Sequence, residues 1–314
     1  MRKLIAIVGP TATGKTALAV ALARAIDSEI VGADSRQVYR RMDIGTAKPT
    51  LEERALVPHH LLDVADPDGS FSLVQYLGLA TAALEDIWAR GRQPILVGGS
   101  GQYVWGLLEG WTVPRLPPQR ELRRSLEERA AREGAEALHK ELTQIDPRAA
   151  DGIDPRNVRR VIRALEVYEA TGRPMSSWQE KAPPEWDALV LGLTCPRDEL
   201  YRRIDARVDA MIEAGLVDEV RDLLAAGFGP ELPSMSGIGY REVCQHLAGE
   251  LALPAAVARI KTATHRLARQ QATWFRRDDE RIRWIDVSLR DPLREALGLV
   301  ESGLGLGRAV GHGR

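Results

Sequence analysis

Gly9-Pro10-Thr11-Ala12-Thr13-Gly14-Lys15-Thr16 fits the pattern G-x-x-x-x-G-K-[S/T]. The apolar run Leu4 to Val8 ahead of it reads as a short buried strand. Thr16 to Ile26 behind it, with Ala and Leu at helical spacing, reads as a helix. Strand, glycine loop and helix in that order make a seat for phosphate. The glycines let the backbone curl, so that its N–H groups and the helix N-terminus aim at an anion. Lys15 adds a positive charge, and the Thr16 hydroxyl is placed to hold a magnesium ion. The motif specifies phosphate binding without specifying whose phosphate.

Working outward, Glu29 to Ala33 and Pro94 to Val97 read as further strands, with the helical stretch Phe71 to Arg90 between them. Alternating strands and helices imply a parallel, doubly wound sheet. The expected class is α/β, a P-loop NTPase-like parallel-sheet core. Between Pro114-Arg115-Leu116-Pro117-Pro118 and Pro183-Pro184 lies charged helical sequence without a clear strand, bounded by proline clusters. This reads as an inserted helical domain over 117–185, dividing the core into 1–116 and 186–300. A strand at Ala188 to Leu193 resumes the core, and helices follow to about residue 277. From Glu301 on, five of fourteen residues are glycine, which predicts a disordered tail over 301–314.

With 314 residues and 44% hydrophobic side chains, the chain can bury a sizeable core. Its 43 basic and 44 acidic residues give almost no net field, so any contact with nucleic acid must be a local patch. Cys195 and Cys244 stand far apart, which argues against a disulfide framework and a zinc site, and a reducing cytoplasm is the expected compartment. The apolar run after Met1-Arg2-Lys3 stops at Val8, too short for a signal peptide, and no stretch is long and apolar enough to span a membrane.

Asp34 follows Ile30-Val31-Gly32-Ala33 at the C-terminal end of a strand, where ligands bind in open α/β sheets. It is placed to act as a general base beside the phosphate loop, or to cap the next turn; position alone leaves these two readings level. An ATP-binding loop of the common kind also wants a carboxylate after a second strand to organise Mg²⁺. Here Pro94 to Val97 runs into Gly98-Gly99-Ser100, which weakens, without removing, the alternative of a small-molecule or nucleotide kinase.

Asp34-Ser35-Arg36-Gln37-Val38-Tyr39 and Met42-Asp43-Ile44-Gly45-Thr46-Ala47-Lys48-Pro49 closely resemble the tRNA dimethylallyltransferases. Further matches are Val97-Gly98-Gly99-Ser100-Gly101-Gln102-Tyr103, Leu107-Leu108-Glu109-Gly110, the run Asn157 to Val167, Ile238-Gly239-Tyr240-Arg241 and Thr273-Trp274-Phe275-Arg276. The resemblance covers roughly residues 3 to 285 and implies prenyl transfer from dimethylallyl diphosphate to N6 of the adenosine 3′ of the anticodon in tRNA. It implies Asp34 as the base, with Ser100 and Arg207 in the catalytic set, and Ser35 and Gln37 holding an extruded adenine. Gly9 to Thr16 and Arg207 would hold the diphosphate with Mg²⁺ on Thr16. The tRNA contacts it implies are Asp34, Ser35, Arg36, Gln37, Ser100, Arg123, Arg159, Arg160, Val161, Ile162, Arg163, Gly239, Tyr240 and Arg241. A monomer with no membrane partner is expected. Two positions depart from the family: Ser100 stands where threonine is usual, and Arg269-Gln270-Gln271 where Lys-Arg-Gln is common.

Two basic clusters fit that reading. Ala256 to Arg277 holds six Lys or Arg residues and no acid, with Val257, Ile260, Leu267 and Trp274 as the expected buried stripe of one helix. Arg259, Arg266 and Arg277 would fall within about 20° of one another around such a helix. Arg156, Arg159, Arg160 and Arg163 form the second cluster. Such surfaces would grip a stem-loop while one base is turned inward.

Overall fold

Leu4 to Val8 are wholly buried, as expected of a strand covered on both faces. In the computed structural model, which describes residues 2–114, 116, 119–178 and 181–304, this strand is β1 (Arg2–Val8), at the centre of a parallel sheet. It is followed by α1 (Lys15–Ala25), β2 (Ser28–Gly32), α2 (Leu51–Leu56), β3 (His59–His60), α3 (Leu73–Ala89), β4 (Gln93–Val97) and α4 (Gly101–Leu108). An insertion supplies α5 (Arg120–Glu133), α6 (Ala135–Ile145), α7 (Pro147–Asp151) and α8 (Val158–Thr171). The chain then returns with β5 (Trp186–Thr194), α9 (Arg197–Glu213), α10 (Leu216–Ala225), α11 (Tyr240–Leu247), α12 (Leu253–Trp274), β6 (Ile282–Asp286) and α13 (Pro292–Leu304).

The strand order is β3-β2-β4-β1-β5-β6, all parallel. β1 lies between β4 and β5, so connections leave its neighbourhood in both directions, and loops at the C-terminal strand ends converge there. Edge strands β3 and β6 have no counterpart in the sequence reading. β3 is two residues long, and Ile282-Arg283-Trp284-Ile285-Asp286 mixes charged with apolar residues, so neither gives a continuous apolar run. Local signals set other boundaries. Ser72 caps α3, its Oγ accepting the Gln75 N–H at 3.3 Å while the Gln75 side chain accepts the Ser72 N–H at 2.9 Å.

The chain divides into two compact units, Met1–Leu108 with Pro184–Arg314, and Glu109–Pro183. The second starts earlier than the proline cluster suggests because its two ends pair. Trp111 bridges Lys181, and the Ala182 N–H donates to the Gly110 carbonyl at 2.9 Å. Gly110 has φ +62°, and a Cβ there would meet the Ala182 oxygen at 1.8 Å, so the junction requires glycine. Within this unit α5, α6 and α8 enclose Leu126, Leu138, Leu142, Val161, Ile162 and Leu165. In the larger unit α13 lays Ala296 and Val300 against the core containing Leu18, Leu22 and Leu191. A disordered segment beginning at Glu301 is therefore corrected: α13 continues through Leu304, since its buried stripe anchors its last turns. Residues 305–314 of the expected tail lie outside the described residues.

Candidate active site

The phosphate loop turns on three residues with positive φ: Gly9 at 136°, Ala12 at 64° and Gly14 at 88°. Gly9 is required sterically as well, since a Cβ there would meet the Leu193 carbonyl oxygen of β5 at 2.5 Å. Gly14 is the N-cap of α1 and offers no capping side chain, so the first-turn amides remain available to an anion. The loop braces itself from within. Thr13 Oγ1 donates to the Pro10 carbonyl at 2.9 Å, and Lys15 Nζ to the same oxygen at 2.7 Å.

Removal from water and the neighbouring Arg207 charge bring the Lys15 ammonium down to about 8, against the opposing pull of Asp34. Arg207, on α9, is shifted downward by burial, and its guanidinium makes no ion pair or hydrogen bond among the described residues. Two poorly solvated cations beside one carboxylate leave a positive excess, which is the electrostatic signature of an anion seat.

Asp34 lies beyond β2. Its Oδ1 accepts the Arg36 N–H at 2.8 Å, so the turn-capping reading is realised, and its Oδ2 accepts no hydrogen bond among the described residues. Its loop is tied to the end of β4. The Ser35 N–H donates to Ser100 Oγ at 3.0 Å, the Ser100 N–H to the Ala33 carbonyl at 3.2 Å, and the Ala33 N–H to the Val97 carbonyl at 2.7 Å. Gly98 permits this approach, because a Cβ there would meet the Ala33 oxygen at 2.0 Å. Gln37 Nε2 donates to the Thr46 and Ala47 carbonyls at 3.1 and 3.0 Å, and Arg36 Nη1 to the Pro233 carbonyl at 2.9 Å. Both side chains thus shape the loop.

Other expected contacts are placed differently. Val161 and Ile162 are core residues of the inserted unit, on the apolar stripe of α8, so neither side chain faces a partner. Arg123 and Arg163, also expected to contact tRNA, are each tied to a carboxylate inside the unit. Arg123 donates from Nε and Nη2 to Glu166 at 2.8 Å each, and Arg163 Nη1 donates to Glu166 at 2.6 Å. Glu166 is 0% exposed, so the two guanidiniums neutralise a buried carboxylate. Burial would raise this carboxyl, but Arg123, Arg163 and the Gln119 amide outweigh it and hold it below the ordinary value. Arg159 and Arg160 are exposed, and their side chains make no ion pair or hydrogen bond among the described residues. Arg156 is paired with Asp154 at 2.7 Å.

Tyr240 is 1% exposed, with its hydroxyl on Glu219 at 2.6 Å; it packs the loop from inside and offers no surface. Gly239, at φ +95°, gives its N–H to Glu242 at 2.9 Å, and Arg241 is paired with the same carboxylate. The wheel of Arg259, Arg266 and Arg277 breaks at its last member. α12 ends at Trp274 because Phe275 turns to φ −112°, ψ 82°, and Arg277 stacks on Trp284 at 4.9 Å. The buried stripe is Ala256, Ile260, Ala268 and Gln271, with Val257, Leu267 and Trp274 only partly covered.

Three residues escaped sequence reasoning. Lys48 Nζ, almost wholly buried, donates at 2.6 Å to the Tyr39 carbonyl, Asp43 and Asp63. Glu219 accepts the amides of Asp43, Ile44 and Gly45 at 2.9, 2.7 and 3.1 Å. Both staple the segment after Asp34. Gln271 meets the phosphate loop itself, accepting the Thr11 N–H at 2.8 Å. Its one sequence signal was a polar side chain at a helical spacing that buries.

A strand-loop-helix anion seat at the centre of a parallel sheet, with a carboxylate at the same edge beyond the end of β2, one strand removed, defines a phosphate-loop α/β enzyme. Residues 37–278 match the model of the IPP transferase family, and the chain belongs to that family. It is 58% identical to the tRNA dimethylallyltransferase of Roseiflexus sp. (strain RS-1) over 277 residues, 88% of this chain and 91% of the relative. A tRNA isopentenylpyrophosphate transferase from Bacillus halodurans superposes with a TM-score of 0.72 at 41% identity, covering 97% of each chain. A eukaryotic dimethylallyltransferase acting on tRNA superposes with a TM-score of 0.81 at 29% identity, covering 96% of this chain and 79% of that one.

Proposed function

We propose that this chain transfers a dimethylallyl group from dimethylallyl diphosphate to N6 of the adenosine 3′ of the anticodon in tRNA, releasing diphosphate. The observation that carries this reading is the positive charge of Lys15 and Arg207, neither in an ion pair among the described residues, with Asp34 close enough to act on Lys15. It suits a reaction in which diphosphate departs while a nucleophile loses a proton. An adenine amine is weakly nucleophilic, because its lone pair is delocalised into the ring. Positioning by Ser35, Gln37 and Ser100 and proton removal by Asp34 both contribute. N6 bonds to the allylic carbon as the carbon–oxygen bond to diphosphate breaks, and the amine proton passes to Asp34. Loop amides, Lys15 and Arg207 take up the charge that develops on the leaving oxygen.

Magnesium fits this seat. Among the described residues no group of three His, Cys, Asp or Glu gathers to hold a metal. Mg²⁺ at phosphate sites needs only one or two protein ligands besides phosphate and water. Thr16, whose hydroxyl makes no hydrogen bond among the described residues, would hold it, and when bound it would add charge neutralisation at the diphosphate. The inserted unit is read as tRNA-binding, through Arg159 and Arg160. A cytoplasmic, monomeric protein is proposed, and none of the described helices is long and apolar enough to cross a membrane.

The test is to incubate unmodified tRNA with Mg²⁺ and labelled dimethylallyl diphosphate, and in parallel with γ-labelled ATP plus small-molecule acceptors. Label is expected in tRNA from the first mixture alone, on the adenosine 3′ of the anticodon. Transfer from ATP with none from the prenyl donor would overturn the reading in favour of a kinase; preference for free AMP would make the acceptor a nucleotide.

A further inference from the structure

Gln271 is 8% exposed on the inner face of α12, and both ends of its amide are used. Oε1 accepts the Thr11 N–H of the phosphate loop at 2.8 Å, and Nε2 donates to the Gly99 carbonyl at 3.1 Å. The fit is tight: a Cβ on Gly99 would meet Nε2 at 2.3 Å. Gly99 precedes Ser100, whose Oγ accepts the Ser35 N–H at 3.0 Å beside Asp34. One side chain therefore ties the loop after β1 to the loop after β4, and through Ser100 to the loop after β2.

The two ends of this tie have different tasks on the proposed reading. The loop after β1 seats the diphosphate, and the loops after β2 and β4 hold the adenine and its base. Each has its own internal bracing: Thr13 and Lys15 on the Pro10 carbonyl in one, Ala33 and Ser100 in the other. The ladder of β1 with β4 joins them as far as the Gly98 N–H on the Ile7 carbonyl at 3.2 Å, and the Gln271 amide extends that tie to Thr11 and Gly99, farther along both loops. An apolar side chain of similar size would fill the volume but leave a buried N–H and a buried carbonyl without partners.

We propose that Gln271 is a positioning residue that fixes the distance between the diphosphate seat and the adenine-holding loop, acting on the chemical step and not on the affinity for either substrate. The inference rests on the prenyl-transfer reading. Misplacement of reacting groups by about 1 Å costs on the order of 10² in rate, which sets the expected effect.

The experiment compares wild type with Gln271→Leu and Gln271→Glu in single-turnover prenylation of tRNA, with KM for tRNA and for dimethylallyl diphosphate measured separately. Gln271→Leu is expected to lower kcat about 10²-fold with both KM values within about threefold. Gln271→Glu keeps the acceptor for Thr11 but sets a carboxylate against the Gly99 carbonyl. When protonated it matches the amide's donor and acceptor pattern, so its activity relative to wild type is expected to rise about tenfold from pH 8 to pH 6, as a buried carboxyl with a raised pKa gains its proton. Lys15, Asp34 and Arg207, the charged groups of the surrounding loops and of α9, are the same in both proteins, so the ratio isolates residue 271. A residue that merely filled space would give no such pH-dependent rescue. Should Gln271→Leu fail to fold, the pH profile of Gln271→Glu decides alone. A kcat for Gln271→Leu within twofold of wild type, a loss confined to KM, or a flat ratio for Gln271→Glu would overturn the inference. Absence of prenyl transfer by the wild type would instead overturn the functional reading.

Discussion

Asp34 accepts the Arg36 N–H with one carboxylate oxygen, so the capping reading is present in the structure, and the proposed general-base role is the one left to experiment. They separate on substitution. Asp34→Asn keeps an acceptor for the Arg36 N–H but loses basicity, and Asp34→Ala loses both. If proton removal dominates, both variants lose about 10²–10⁴ in single-turnover rate while filter binding of tRNA is retained. Near-normal turnover of Asp34→Asn would leave only the cap. Lys15 gives a second expectation. Its folded pKa of about 8 lies below the usual lysine value, so its charge is present at lower pH and is lost as pH rises through about 8. Affinity for inorganic pyrophosphate, measured by calorimetry from pH 6.5 to 9.5, should fall above pH 8 in the wild type. Lys15→Met should bind weakly and lack that fall.

At the scale of the element, α8 shows how one arginine-rich helix divides its charges. Its inner face carries Val161, Ile162 and Leu165, and the rim residue Arg163 turns inward with Arg123 to the buried Glu166. Arg159 and Arg160 stay outside and exposed. Arg123→Ala should therefore lower stability by roughly 3 kcal/mol, the lower end for breaking a buried pair, because Arg163 still holds Glu166. Thermal and urea unfolding would read this. Arg159→Ala with Arg160→Ala should leave unfolding unchanged and reduce the salt slope of tRNA binding by about one unit for each phosphate no longer neutralised. A slope identical to wild type would remove these arginines from RNA binding. Glycines were legible as turn signals in the Gly98 to Gly101 run, but their partners were not. Gly101 admits the Trp274 ring from α12, and Gly98 admits the backbone after β2.

Across the whole molecule, acid stability should hinge on the far end of the same sheet. Glu29 is 1% exposed in β2 and receives hydrogen bonds from Arg90 and Arg92 and a contact from His60 at 2.8 Å. The Arg90 guanidinium above all, against the cost of burial, holds the carboxyl at about 2. A depressed carboxylate contributes stability above its unfolded value of about 4.3 and loses it as pH falls toward 2. That linkage amounts to about 3 kcal/mol at neutral pH. Glu29→Gln should lower the neutral-pH melting temperature and flatten its decline between pH 4.5 and pH 2.5; a decline parallel to wild type would exclude Glu29 as the source. Within this molecule the phosphate loop, β1, β2, β4, β5 and the helical insertion were readable from local sequence, because each follows from apolar run length, helical spacing or turn chemistry over a few residues. Which arginines face solvent, that Tyr240 is internal, and that Gln271 braces the phosphate loop were decided only by the tertiary structure. Arg123 meets Glu166 across 43 positions, and Gln271 meets Thr11 across 260. Contacts at such separations are set by how helices pack on one sheet, which local spacing along the chain does not encode.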